Sequence, residues 1–372
     1  MQGLNLLIKP ASGNCNMRCK YCFYADEMIN REVSTYGIMS IETLEVVLDK
    51  ALKEATGQLT IAFQGGEPTL AGFPFFEHVV EYVSTHNYNK CQINYGLQTN
   101  GYMLDERWAK LFHDNNFLIG VSLDGTKEIH DKYRVDAKGE GTFDRIMKNL
   151  KMFEEYQVEF NILTVVHADV AENIGKIYNF YKREGFMYQQ YIECLEPFKE
   201  MVGTQEYSLT PEKYSKFLVT LFRKWYKDLE AGNYVYNRFF ENVLMIIAGQ
   251  RPESCNMQGV CGKQWVVEAD GSVYPCDFYA LDEWKIGNLL TDSFDQIEAN
   301  RADIGFIECS KNQPDECKAC KWFPICRNGC RRHCEPVTMD ERSRNYFCKA
   351  FKDFYENTYK DFVDIRNKYV QR

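Results

Sequence analysis

The residues best suited to chemistry are three thiols, Cys15-Asn-Met-Arg-Cys19-Lys-Tyr21-Cys22, spaced C-x3-C-x2-C just after the short apolar run Leu4 to Ile8. A structural zinc site closes with four ligands, whereas three thiolates can hold three irons of a 4Fe-4S cluster and leave the fourth open. The open iron is where a small molecule would bind. The alternative is half of a zinc ribbon. A second group is Gln64-Gly65-Gly66-Glu67-Pro68, in which two glycines let the backbone approach a ligand and Glu67 can accept a hydrogen bond from an ammonium group. Taken alone, that stretch also reads as a tight turn. A third group is cysteine-dense: Cys255, Cys261 and Cys276 with Gly271 five before it, then Cys317-x2-Cys320-x5-Cys326-x3-Cys330, then Cys348. Asp277 follows Cys276 directly, so a metal-bound neighbour would fix it as a positioned general base, or it caps a turn there. A free aspartate near pKa ~3.9 is poorly matched to a thiol near ~8.5, so as a base it needs burial to raise its pKa.

Elements must carry these groups. β-like runs at Asn5 to Ile8, Leu59 to Phe63, Gln92 to Leu97, Phe117 to Leu123, Val158 to Val166 and Met187 to Ile192 alternate with amphipathic patterns. The patterns lie at about Ile41 to Ala55, Phe75 to Ser84, Glu106 to Asp114, Phe143 to Tyr156 and Asn173 to Glu184. This alternation predicts an α/β fold whose parallel sheet closes wholly or partly into a (β/α)6 barrel of the TIM type. Chemistry then gathers at the strands' carboxyl ends, and the polar clusters do follow strands: Cys15, Gln64 to Glu67, Gln98-Thr99-Asn100-Gly101 and Ser122-Leu-Asp124. Helical patterns at Glu212 to Leu229 and Arg238 to Ile247 lead into the cysteine-dense region, and Phe351 to Tyr369 is helical again. The 372 residues exceed what one core usually supports, so a main domain over 1–234 and a second over 235–372 are expected.

Charge and composition exclude several classes. With 44 basic against 53 acidic side chains and no long basic run, nucleic acid is a poor partner. No apolar stretch approaches the ~20 residues of a membrane span, and Leu4 to Ile8 is too short for a signal peptide, so a cytoplasmic protein without a membrane partner is expected. Fifteen cysteines in that setting serve metal rather than disulfides. Iron and sulfur imply protection from oxygen. Neither G-x-G-x-x-G nor a Walker motif is present, so dinucleotide and ATP are unsupported. Lys318, Lys321, Arg327, Arg331 and Arg332 crowd the later cysteines, either to favour a reduced cluster or as a solvated face. Cys91 and Cys194 read as core residues; Cys309 and Cys334 are unassigned.

The C-x3-C-x2-C loop, with an aromatic before its third cysteine, resembles the signature of the radical S-adenosylmethionine enzymes. The resemblance implies that Cys15, Cys19 and Cys22 hold three irons and S-adenosyl-L-methionine chelates the fourth. Gly65, Gly66 and Glu67 match the motif that holds the cofactor's amino group; Ser122 and Arg134 would meet its carboxylate, and Tyr21 and Leu195 its adenine. Otherwise Arg134 is a surface arginine, and Tyr21 and Leu195 are core. The later cysteines look like the SPASM extension, C-x9-15-G-x4-C, C-x2-C-x5-C-x3-C and C, with Cys255 as an eighth thiol. Eight ligands close two auxiliary 4Fe-4S clusters, making three in all. Cys317, Cys320 and Cys326 group by spacing, and the last cysteine of such a run crosses over in two-cluster ferredoxins. Cys330 therefore joins Cys255, Cys261 and Cys276, and Cys348 completes the other set. The alternative is a pair of structural zinc ribbons.

Across nearly its whole length the chain looks like the anaerobic sulfatase-maturating enzymes, in Ile8-Lys9-Pro10, Phe23-Tyr24, Phe63 to Ala71, Leu97 to Gly101 and Tyr274-Pro-Cys-Asp-Phe-Tyr279. The resemblance implies an oxidoreductase that converts a cysteine or serine of a sulfatase polypeptide, in a Cys/Ser-x-Pro/Ala-x-Arg motif, to Cα-formylglycine. A deoxyadenosyl radical would take hydrogen from Cβ, Asp277 would take a proton, an auxiliary cluster would take the second electron, and flavodoxin or ferredoxin would supply reductant. Tyr24, Gln64, Gln98 and Asn100 would line the substrate pocket. The rival is another SPASM peptide modifier, a thioether-forming maturase or an epimerase; those often carry a recognition domain ahead of the barrel, for which Cys15 leaves no room. A non-catalytic iron–sulfur or zinc scaffold is more distant, having no use for a three-cysteine site beside a GGE turn.

Overall fold

A computed structural model describes residues 1–338 and 342–369. Among them ten strands follow in chain order: β1 (Gly3–Ile8), β2 (Gln58–Phe63), β3 (Gln92–Thr99), β4 (Phe117–Ser122), β5 (Phe160–Val166), β6 (Tyr188–Glu193), β7 (Tyr236–Asn237), β8 (Trp265–Val267), β9 (Ser272–Tyr274) and β10 (Gly287–Asn288). The chain forms two compact units. One holds residues 1–123, 130–161 and 263–304; the other holds 124–129, 162–262 and the described residues from 305 on.

In the first unit the strand order is β10-β9-β8-β1-β2-β3-β4. β1 to β4 pair in parallel, β8 pairs in parallel with β1, and β9 and β10 add antiparallel. Burial in β1 and β2 alternates, with Leu4, Leu6 and Ile8 and then Leu59, Ile61 and Phe63 turned inward, because successive side chains point to opposite faces. Helix Ile41–Glu54 covers the sheet with Leu44, Val47, Leu48, Ala51 and Leu52, the spacing of one helical face, and starts where Ser40 accepts the Thr43 N–H. Each such buried leucine stabilises the unit by roughly 1.5–3 kcal/mol. All six expected strands are present.

Several elements escaped the sequence patterns, among them helices Lys127–Tyr133 and Phe294–Asp303. Helix Phe23–Ile29 begins directly after Cys22, and β8 to β10 are only two or three residues each, too short for alternation to show. The helix expected from Asn173 begins at Ala168, because Ala168, Val170 and Ala171 read as a continuation of the preceding apolar strand.

In the second unit β5, from Ile162 on, pairs in parallel with β6, and β6 with β7. Helices Pro211–Glu230, Arg238–Ile247 and Cys348–Tyr369 bury an aromatic core in which Phe222 meets Phe240 at 5.5 Å and Phe362 at 4.6 Å between ring centres. No helix among the described residues is long and apolar enough to cross a membrane.

Candidate active site

The cysteine loop is tied down on both sides. Arg18 and Lys20 donate their N–H groups to the carbonyls of Val135 (2.7 Å) and Tyr133 (3.1 Å), while Gly66 and Glu67 donate theirs to Ser12 (2.9 Å) and Asn14 (2.8 Å). The glycines are required here. A Cβ on Gly66 would stand 2.1 Å from the Asn14 carbonyl oxygen, and Gly65, at φ +108°, would place one 2.6 Å from that of Ser12. Glu67 is buried, and its carboxylate accepts from the Thr69 N–H and hydroxyl (3.1 and 2.6 Å), the Thr99 hydroxyl (2.8 Å) and the Asn100 N–H (2.7 Å). It therefore clamps the β2 and β3 loops together. Asn100 turns its side-chain amide onto Asn16 Oδ1 (2.8 Å) and Cys15 Sγ (3.6 Å), and the Met17 N–H also points at Cys15 Sγ (3.3 Å). Arg134 lies 5.4 Å over the Tyr21 ring, and its charge acts on the Cys22 thiol. Ser122 is buried at the end of β4 and Gln98 half-buried on β3. Leu195 is buried in the second unit, beyond β6.

Asp277 sits at the centre of a second cluster in the same unit. Tyr24, on the helix after Cys22, donates its hydroxyl to Asp277 Oδ2 at 2.7 Å and accepts the Gly65 N–H at 3.3 Å, so its hydrogen has a set direction. Gln64 Nε2 donates to the same oxygen at 3.2 Å. Asp277 Oδ1 is buried with no hydrogen-bond partner, and so is Asn16 Nδ2 in the cysteine loop. Burial raises the Asp277 carboxyl from its usual range, against Lys9 and the Tyr24 hydrogen bond, and Glu268 pushes it the same way as burial. Burial and the Asp277 charge hold Tyr24 far above its ordinary value, so it stays a donor.

Around this carboxylate lies a buried network that sequence reading missed. Lys9 Nζ meets Glu268 at 3.0 Å and Glu27 at 3.3 Å and lies 4.9 Å over the Tyr24 ring; Arg31 pairs with Glu268 and with the Ala280 carbonyl. Glu27 accepts the Ala280 N–H at 3.2 Å. Burial pushes Glu27 up to about 7 despite Lys9, whereas at Glu268 Lys9 and Arg31 overcome burial and bring it down to about 2. The available signal was a charged residue continuing an apolar strand: Lys9 follows β1 and Glu268 follows β8, and the Lys9 N–H bonds the Val267 carbonyl at 2.8 Å.

In the second unit Cys317, Cys320, Cys326 and Cys348 line one cavity with Trp322, Phe323 and Phe351. Burial pushes the Cys330 thiol up, and the Cys255 and Cys261 sulfurs act on it in the same sense. At Cys261 burial also raises the thiol, opposed by a Ser310 hydrogen bond and by the charges of Arg342 and Arg331. Between Cys326 and Cys330 the chain makes a left-handed turn, with φ of 51°, 65° and 64° at Arg327, Asn328 and Gly329. Cys91, Cys194, Cys309 and Cys334 are buried. Cys276 belongs to the first unit.

These donor sets fit iron–sulfur clusters. All fifteen cysteines are free thiols. Among the described residues no three cysteine, histidine or acidic side chains converge on a position for a single ion, while four thiols do share one cavity. Four thiolates around one cavity match the ligand set of a fully coordinated 4Fe-4S cubane. Burial lifts the Cys15 thiol to about 11 and Cys22 upward too, so iron must displace their protons on binding.

Comparison with known proteins places this geometry. A family model described as the radical SAM superfamily matches residues 10–181, and one described as an iron–sulfur cluster-binding domain, SPASM, matches residues 255–321. The chain is 47% identical to a cysteine-type anaerobic sulfatase-maturating enzyme of Clostridium novyi, covering 96% of this chain and 95% of that one. It is 44% identical to the enzyme so described in Clostridium perfringens strain 13, covering 99% of each. A solved structure described as native anSMEcpe with bound AdoMet and Cp18Cys peptide superposes with a TM-score of 0.94 at 43% identity, covering 98% of this chain and 99% of that one. With two such relatives matched along nearly its full length, the chain belongs to the anaerobic sulfatase-maturating enzymes, which are radical S-adenosylmethionine enzymes with an iron–sulfur SPASM domain.

Proposed function

We propose that this chain oxidises a cysteine of a sulfatase polypeptide to Cα-formylglycine, with Asp277 as the proton acceptor. One observation carries the reading: Asp277 is held through Oδ2 by Tyr24 and Gln64, and its Oδ1 is buried and unpartnered, an acceptor held ready for a substrate group. Its cofactors are S-adenosylmethionine and three 4Fe-4S clusters; when bound, they supply one-electron hydrogen abstraction at the substrate's Cβ and take up the second electron. Cys15, Cys19 and Cys22 hold the first cluster. The Gly65-Gly66 backbone receives the cofactor's amino end, with Glu67 fixing that turn; Ser122 and Arg134 face its carboxylate, and Tyr21 and Leu195 its adenine. Residues 1–234 carry the S-adenosylmethionine site and residues 235–372 the auxiliary clusters and Asp277, a division that the matched stretches 10–181 and 255–321 support.

The proton and electron bookkeeping closes on the substrate. Loss of a hydrogen atom from its Cβ and of one electron, which the bound cofactors would supply, together with loss of the thiol proton to Asp277 Oδ1, would leave a carbon–sulfur double bond. Water then replaces sulfur, releasing hydrogen sulfide and leaving the aldehyde. Gln98 and Asn100 extend the pocket wall formed by Tyr24 and Gln64. Cysteine is preferred to serine as substrate because a thiol gives up its proton more easily than a hydroxyl, and the relatives' description as cysteine-type supports it. The target motif is Cys-x-Pro-x-Arg, the electron donor a flavodoxin or ferredoxin, and the compartment the reducing cytoplasm, which fifteen free thiols suit. Anaerobic incubation of the iron-loaded chain with reductant, S-adenosylmethionine and such a peptide should convert its cysteine to an aldehyde by mass spectrometry. Cofactor cleavage without any aldehyde would reject the reading.

A further inference from the structure

Three buried arginines of this chain meet carboxylates. Arg31 pairs with Glu268, Arg301 with Glu298 at 2.7 Å, and Arg331 faces Glu335 at 3.8 Å. Two lysines that crowd the cysteines in sequence are likewise met, Lys318 by Asp315 and Lys321 by Glu356. Arg342 is 1% exposed, and among the described residues it has no carboxylate partner. Its NH1 donates to the carbonyls of Gly259 (3.4 Å) and Ser310 (3.1 Å), and its NH2 to those of Asn328 (3.3 Å) and Gly329 (2.7 Å) and to Cys334 Sγ (3.3 Å). Its Nε is buried with no partner. Carbonyls offer dipoles but no net charge, and a guanidinium taken out of water without a counter-ion is strongly disfavoured.

The acceptors that hold Arg342 all lie against proposed cluster ligands. Gly259 precedes Cys261 by two residues, and Ser310, whose carbonyl takes NH1, receives the Cys261 N–H on its hydroxyl at 2.9 Å. Gly329 precedes Cys330 directly, and the Cys334 thiol that takes NH2 donates to the Cys330 carbonyl at 3.2 Å. A 4Fe-4S cube with thiolate ligands is anionic and gains one more negative charge on reduction. We infer that Arg342 is the counter-cation of the auxiliary cluster bound by Cys255, Cys261 and Cys330, and that it raises that cluster's reduction potential so that the cluster accepts the second electron. The inference rests on the auxiliary clusters of the proposed function, with the ligand sets expected from the cysteine spacing. Its physical basis is that a fixed buried cation favours the more negative redox state, while its hydrogen bonds set where the loops at 259 and 329 stand.

The test is an anaerobic redox titration, followed by electron paramagnetic resonance, of the iron-loaded chain carrying Cys15→Ala, Cys19→Ala and Cys22→Ala to silence the first cluster. Two auxiliary signals in that background support the assignment, and their absence would reject it and the inference with it. Arg342→Gln should then lower the potential of one auxiliary cluster and not the other, by at least a tenfold change in its reduction equilibrium, which is 59 mV for a one-electron couple. Arg342→Lys, which keeps charge and loses the fork, should stay near the starting potential. Unchanged potentials in Arg342→Gln with full iron, or equal shifts in both variants, would overturn the inference. Should Arg342→Gln fail to take up iron, Arg342→Lys decides: loading at the starting potential supports a charge role, and failure to load would show that only the hydrogen bonds matter.

Discussion

Replacing Asp277 by asparagine keeps the side chain's shape and removes its basicity. In the structure Oδ2 takes two donors, Tyr24 at 2.7 Å and Gln64 at 3.2 Å, so the asparagine oxygen will stay with them and turn its NH2 to the place where Oδ1 is now unpartnered. A hydrogen-bond acceptor facing the substrate thiol thus becomes a donor. Losing a positioned general base costs at least about 100-fold, or about 2.7 kcal/mol at 1.36 kcal/mol per tenfold. Tyr24→Phe removes one hydrogen bond to a charged oxygen, about 1.5–3 kcal/mol if fully expressed, and should slow the same step by roughly 10- to 100-fold. Because both act through one carboxylate, the double variant should be little slower than Asp277→Asn alone, a coupling close to the whole Tyr24→Phe effect of about 1.5–3 kcal/mol. Single-turnover formylglycine formation by mass spectrometry would be read beside cofactor cleavage and iron content, both of which should persist. Asp277→Asn with full iron content and an aldehyde yield near that of the unsubstituted chain would refute the base; additive losses would refute the shared carboxylate.

The remaining expectations concern clusters and pH. Eleven ligands divided as three, four and four should bind about twelve irons per chain, and the Cys15, Cys19, Cys22 triple alanine variant about eight, so a fall to none would reject the partition. Cys326→Ala should abolish aldehyde formation while some uncoupled cofactor cleavage continues, and a folded variant that lacks the cluster yet converts peptide at the usual rate would remove the electron-acceptor role. Glu27, raised to about 7 when folded against ~4.3 unfolded, binds its proton more tightly in the native state, so its contribution is complete below pH ~4.3 and is lost as pH rises through 7, of order a few kcal/mol. Glu268, lowered to about 2, loses its contribution only below pH ~4.3, so Glu27→Gln should flatten the fall in melting temperature between pH 5 and 8. An unchanged slope would mean that Glu27 is not held protonated.

What was legible in the sequence was local. Cysteine spacing, the paired glycines and the adjacency of Asp277 to Cys276 are short-range patterns, and six strands showed as β-like runs of four or more residues. The network around Asp277 was not legible, because Lys9, Glu27, Arg31 and Glu268 reach one another across separations of 18 to 259 residues, and Glu268 follows a strand too short to show a period. Asn100 and Glu67 carried recognisable motifs, but only the fold shows the Glu67 carboxylate taken up by Thr69, Thr99 and Asn100, and the Asn100 amide turned onto Asn16 and Cys15. Arg342 carried no pattern, since its meaning lies in having carbonyls where Arg31, Arg301 and Arg331 have carboxylates.

The left-handed turn of Arg327, Asn328 and Gly329 joins Cys326, assigned to one auxiliary cluster, to Cys330, assigned to the other. Four Cα steps reach at most about 14 Å when stretched, and three consecutive left-handed residues draw them shorter still. With the proposed ligand sets, this covalent tether would cap the separation of the two auxiliary centres whatever the loops around the peptide do. An insertion within this turn would lengthen the tether where a substitution elsewhere on the surface would not.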